Sequence, residues 1–192
     1  MSKDREIQKR LALHAQKLPS QAKLLMGEGS YGSPALRGRL STVRIGKYCS
    51  IADNVTFDAG ENHNTGNIST YPFNILFPAE CGHIKTHPVT KGDITVGHDV
   101  WIAAGAYILG GVVVGHGAVI GGRAVVSRNV EPYAVAVGNP ARTVGYRFSP
   151  EDIEKLLMLK WWDWPRAKIL KHVELLMSGN VDALIRASRK KK

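Results

Sequence analysis

From Ile94 onward, apolar or small side chains return at every sixth position. Ile94, Val100, Ala106, Val112, Ala118, Ala124 and Val130 form one register, and Val96, Ile102, Ile108, Val114, Ile120 and Val126 form a second, two residues behind it. A period of six is neither the alternation of a half-buried strand nor the 3.6-residue period of an amphipathic helix. It predicts short strands separated by turns, with three six-residue faces to a coil and equivalent side chains stacked inward. A single coil cannot bury its own apolar face, whereas neighbouring coils merge those faces into one core. Gly97, Gly115 and Gly121 follow aliphatic positions where the chain is expected to bend, and Gly105, Gly110, Gly111, Gly117 and Gly122 add corner freedom. Glycine enters positive φ without a Cβ clash.

The architecture this pattern specifies is a left-handed parallel β-helix with an all-β core. An earlier fragment has the same grammar: Val43 and Ile45-Gly46, then Cys49 and Ile51, then Val55 and Phe57. Phe57 and Val96 lie 39 positions apart, which is not a multiple of six, so something interrupts the repeat. Residues 58–93, with His63, Pro72, Pro78 and Pro88, are expected to form an irregular excursion. Long excursions from compact scaffolds are often functional.

The ends read as helices. Ile7, Leu11, His14 and Leu18 make one face of a short amphipathic helix ending before Pro19. Ser149-Pro150-Glu151-Asp152 reads as a helix start, with Ser149 as cap and Pro150 at the first helical position, and Ile153, Leu156 and Leu157 as a packing face. A further helix is expected from about Trp164-Pro165, using Ile169, Leu170, Val173 and Leu176, with Gly179-Asn180 at its exit. Terminal helices of this kind are expected to cap the β-helix and cover its open edge. The division is then an N-terminal helical segment at 1–26, a β-helix at 27–143 with its excursion at 58–93, and a C-terminal helical segment with a basic tail at 144–192.

Composition narrows the function classes. At 192 residues the chain fits one principal domain. Cys49 and Cys81 are its only cysteines, too few for a disulfide framework or a Cys-rich zinc site, and the spacing of His83, His87, His98 and His116 defines no metal site. The start, Met1 to Glu6, mixes charges and lacks the apolar core of a secretory signal. No apolar run reaches the roughly 18 residues of a membrane span, so no membrane insertion is expected and a cytoplasmic location is the default. The formal charge of +10 suits nucleic acid, an anionic membrane surface or a phosphorylated cofactor alike and does not identify the anion. No nucleic-acid-binding motif accompanies that charge, so no specific nucleic acid is expected, and the tail Arg186 to Lys192 reads as a solubilising terminus.

Four segments carry a family resemblance: Gly60-Glu61-Asn62-His63, Ser69-Thr70-Tyr71-Pro72-Phe73-Asn74, Gly97-His98-Asp99-Val100-Trp101-Ile102 and Gly138-Asn139-Pro140-Ala141-Arg142. Together they resemble the hexapeptide-repeat acyltransferase family, and most of all its xenobiotic acetyltransferase branch, which includes chloramphenicol and streptogramin O-acetyltransferases. Leu159-Lys160-Trp161-Trp162-Asp163-Trp164-Pro165 is also similar. The resemblance covers about residues 40–165. It implies a homotrimer that uses acetyl-CoA, with coenzyme and acceptor sites between subunits and His63 as the catalytic base.

A histidine suits that task, because its free pKa of about 6.5 leaves a neutral population near pH 7. The bland reading of His63 is a loop histidine satisfied by polar neighbours; Glu61 is a candidate to orient its ring. The resemblance implies that Tyr71, Pro72 and Phe73 form an acceptor wall. It also places Trp101 near the coenzyme channel, Gly121-Gly122 beside the pantetheine arm, and Arg123, Arg142 and Lys160 as candidates for phosphate charge. Packing on a coil competes with coenzyme contact for Trp101, and Trp161, Trp162 and Trp164 read as structural. No metal is required. The expected reaction is O-acetylation of a small hydroxyl-bearing xenobiotic or antibiotic. The alternatives are O- or N-acetylation of a surface-polysaccharide sugar, and a noncatalytic hexapeptide-repeat scaffold.

Overall fold

The computed structural model describes residues 3–16 and 22–189. The first helix, α1, spans Lys3–Gln16; Leu18 and Pro19, at its expected end, lie outside the described residues, as do the last three of the basic tail. The β-helix then begins at β1 (Lys23–Met26) and runs through β2 (Ala35–Arg37), β3 (Thr42–Ile45), β4 (Ser50–Ile51) and β5 (Thr56–Asp58). After the excursion it continues through β6 (Ile94–Val96), β7 (Trp101–Ile102), β8 (Tyr107–Leu109), β9 (Val113–Val114), β10 (Val119–Ile120), β11 (Val125–Val126) and β12 (Ala134–Val137). The final strand, β13, spans Arg142–Tyr146.

The strands form three sheets, which are the three faces of a left-handed prism. The first holds β1, β3, β6 and β9, the second β4, β7, β10 and β12 with β13 at its edge, and the third β2, β5, β8 and β11. Every pairing is parallel except β12 with β13. Stacked side chains fill the interior in register: Val43 on Ile94, Ile51 on Ile102 on Ile120, and Phe57 on Ile108 on Val126. All of these are buried, so the six-residue period is the period of the core.

The sequence reading put Lys23–Met26 in the N-terminal segment, but these residues already pair with β3. At the other end β13 continues to Tyr146, past the expected change at 143/144. Neither strand has enough alternating apolar positions to stand out alone. Pairing with a finished neighbour supplies what periodicity lacks.

Gly111 and Gly117 take positive φ at corners, as expected, at +77° and +68°. Gly97, Gly115 and Gly121 serve differently, because their φ is not positive. A Cβ on Gly97 would stand 2.7 Å from the backbone nitrogen of His116, and one on Gly121 would stand 2.7 Å from Cγ1 of Val137. Those glycines let successive coils approach.

The C-terminal helical segment packs against a corner of the prism. Helix α4 (Pro150–Leu159) starts as expected, with Ser149 Oγ accepting from the Asp152 amide at 3.2 Å. A 3₁₀ turn at Trp161–Asp163 follows it. Within that turn Trp162 is buried against two stacked imidazoles, His98 and His116, at 5.4 and 4.9 Å between ring centroids. The chain thus runs along a corner of the prism, while β13 covers the open edge of the second sheet. The expected second helix breaks at His172, and Leu170 and Val173 are exposed rather than packed.

Candidate active site

Between β5 and β6 the chain leaves the prism. Val43 and Ile94 stack as neighbours although 51 residues separate them, whereas 18 separate the stacked pair Ile102 and Ile120. The base of the excursion is closed by reciprocal backbone hydrogen bonds between Asn62 and Val89, at 2.8 and 3.0 Å. Beyond that clasp lie two single-turn helices, α2 (Phe73–Leu76) and α3 (Pro78–Cys81). Asn74 ties them back by donating from Nδ2 to the carbonyl of His87 at 2.7 Å.

His63 stands just outside the clasp. Its Nδ1 lies 2.6 Å from the carbonyl oxygen of Thr70. A carbonyl can only accept, so Nδ1 carries the proton and a neutral ring keeps its basic lone pair on Nε2. That is the tautomer a general base needs. The ring of His87 approaches to 4.5 Å between centroids.

His63, Tyr71 and Pro72 line one open cleft of about 570 Å³. Its other walls are Ile75, Leu76, His87 and Pro88 of the excursion, Ile7 and Leu11 of α1, and the pair Arg39 and Glu61. Seven of these eleven side chains are apolar by residue type, so the cleft suits a ligand with an apolar face. Phe73 is not part of this lining; its ring lies tilted beside Tyr71 at 4.9 Å and leads on to Phe77 at 6.1 Å. Glu61 does not orient His63, because its Oε1 faces Arg39 Nε at 3.9 Å while the Thr70 carbonyl holds the imidazole.

The residues expected to meet coenzyme lie elsewhere on the prism. Trp101 points outward from β7 and is 53% exposed. Gly121, Gly122 and Arg123 form the corner between β10 and β11, and Arg142 begins β13, its Nη1 donating to the Ala141 carbonyl at 2.8 Å. Lys160 closes α4 in the left-handed conformation, beside the corner carrying His98 and His116. The His63 cleft grows from the corner between the third and first sheets. The chain therefore carries the two groups on different parts of the prism. Among the described residues, no group of three or more His, Cys, Asp or Glu side chains is arranged to hold a metal ion.

A family model described as bacterial transferase hexapeptide (six repeats) matches residues 93–128. A probable macrolide acetyltransferase of Lysinibacillus sphaericus is 44% identical over 140 residues, which span 70% of this chain and 76% of that protein. A chloramphenicol acetyltransferase of Agrobacterium fabrum is 43% identical over 147 residues, spanning 74% and 69%. The chain belongs to the hexapeptide-repeat acetyltransferase family. It is an acetyl-CoA-dependent acyltransferase. The crystal structure of an N-acyltransferase from Bacillus cereus, in complex with dTDP and 3-hydroxybutyryl-CoA, matches the fold of this acetyltransferase. It does so at a TM-score of 0.56 and 21% identity, covering 80% of this chain and 72% of that one.

Sequence reasoning did not identify Arg39, Ile75, Leu76, His87 or Pro88 as cleft residues. Nothing in their spacing marks them, since His87 meets His63 only because the clasp folds residues 24 positions apart onto each other. Ile7 and Leu11 were legible as a helix face, though not as a wall of this cleft.

Proposed function

We propose that this acetyltransferase moves the acetyl group of acetyl-CoA onto a hydroxyl of a small xenobiotic or antibiotic, with His63 as general base. The hydrogen bond from His63 Nδ1 to the Thr70 carbonyl is the observation that carries the reading. Nε2 takes the acceptor's hydroxyl proton as the oxygen attacks the thioester carbonyl. The imidazolium then returns that proton to the coenzyme sulfur as the carbon–sulfur bond breaks, so no covalent enzyme intermediate is needed. Tyr71 and Pro72 supply the acceptor wall, with Phe73 supporting Tyr71 from behind.

In this reading Trp101, Gly121, Gly122, Arg123, Arg142 and Lys160 serve the coenzyme. Their place away from the corner that carries His63 favours a homotrimer in which one subunit's excursion faces a neighbour's coenzyme surface. Relatives named for macrolides and chloramphenicol support an antibiotic-like acceptor, and the apolar lining of the cleft agrees with one.

The test is a mass-detected screen of the purified protein with acetyl-CoA against chloramphenicol, a macrolide, a streptogramin and nucleotide sugars. Acetylated antibiotic is the expected product; product from the nucleotide sugars alone would redirect the reading to polysaccharide chemistry. His63→Ala is expected to keep the assembly and lower kcat about 10²–10⁴-fold. Unchanged turnover would defeat the assignment.

A further inference from the structure

Helix α1 is amphipathic, and its apolar face is not spent on the β-helix core. Ile7 and Leu11, one turn apart, both line the cleft that contains His63. Leu11 is 39% exposed there, which is unusual for the central apolar residue of a packed helix face.

The helix is held in that place by Arg10, one turn from Ile7. Arg10 pairs with Glu6 at 3.0 Å, donates through Nη1 to the Leu76 carbonyl, and lies over the Phe77 ring at 5.4 Å. Leu76 itself is buried and lines the same cleft. A single guanidinium thus fastens α1 to the part of the excursion that forms the cleft floor. The arrangement leaves apolar surface exposed, which burial under a ligand would remove from water.

We infer that α1 is the specificity wall of the acceptor site, with Ile7 and Leu11 packing on the apolar face of the acceptor opposite the hydroxyl that His63 activates. This inference rests on the proposed reaction at His63. The wall selects acceptors that carry a hydroxyl and an apolar face on opposite sides, and it has no part in coenzyme binding or proton transfer. Leu11 and Ile7 are specificity residues rather than catalytic ones.

The experiment is steady-state kinetics of Leu11→Ala, Ile7→Ala and the conservative Leu11→Met, using whichever of chloramphenicol, the macrolide or the streptogramin the wild type acetylates fastest. Alanine favours helix, so α1 remains formed in the test variants. The acceptor KM is expected to rise about ten-fold in Leu11→Ala, with kcat and the acetyl-CoA KM within two-fold of wild type, and Leu11→Met is expected to restore most of the loss. His63→Ala is run beside them. If His63→Ala abolishes turnover while Leu11→Ala and Ile7→Ala leave the acceptor KM unchanged, the wall is overturned and the reaction stands. Equal losses in the acceptor and acetyl-CoA parameters would also overturn it, as general damage. If His63→Ala retains turnover, or the wild type acetylates none of the three compounds, the reaction reading falls and the wall with it.

Discussion

Ile102 has no exposed surface and sits in register between Ile51 and Ile120. Shortening it to alanine leaves a gap that neighbours fixed by parallel pairing above and below cannot close. Ile102→Ala is expected to cost about 2–5 kcal/mol, read as a lowered urea midpoint with an unchanged slope. A loss well under that range would mean that the ladder relaxes. The same rigidity acts on the backbone. Tyr48, Asp99 and Tyr133 hold φ of +57°, +57° and +58° at corners where Gly117 stands at +68°. A rule that looks for glycine at left-handed corners therefore reads only some of them. At the others, an ordinary residue takes that conformation in line with the corner of the neighbouring coil.

The corner that carries the C-terminal segment is built from rings. His98 and His116 stack at 5.0 Å with an interplanar angle of 3°, under Trp162. His98 Nδ1 accepts from the Lys47 amide at 2.8 Å and His116 Nδ1 accepts from the His98 amide at 2.9 Å, so both rings are held neutral. Burial, with nearby positive charge, pulls both pKa values below the usual 6.5. Between that value and the lowered folded values, the unfolded chain binds protons that the folded chain does not. The stabilisation from these rings is therefore present above pH 6.5 and lost as pH falls towards the folded values. Urea midpoints are expected to drop between pH 7.5 and pH 5, and to drop less in His116→Asn. Identical slopes with pH in the two proteins would remove His116 from the account.

For the whole molecule, the decisive fact is that the chain divides its candidate chemistry between different parts of the prism. Trp101 at 53% exposure and Val113 at 45% leave apolar surface on the outer faces of the second and first sheets. A neighbouring copy that brought its excursion to such a face would join His63 to the residues proposed for the coenzyme. Light scattering on a sizing column is expected to give about three times the subunit mass of 21.0 kDa. A monomer with full activity would contradict the shared site.

The six-residue period determined the prism by itself, because a repeat in the core must appear as a repeat in the sequence. It also located the excursion, since Phe57 and Val96 fall out of phase. Ser149-Pro150 likewise announced α4 through local capping chemistry, which needs no distant partner. What the tertiary structure alone decided is which groups meet: the Thr70 carbonyl on His63, His87 beside it, α1 across the cleft rather than on the coils, and Trp162 on two imidazoles. None of these contacts repeats along the chain or rests on a local propensity. His63 and Thr70, seven positions apart, meet only within the closed excursion, and the other contacts join residues tens of positions apart across a rigid scaffold, so the partners carry no shared signal in the sequence.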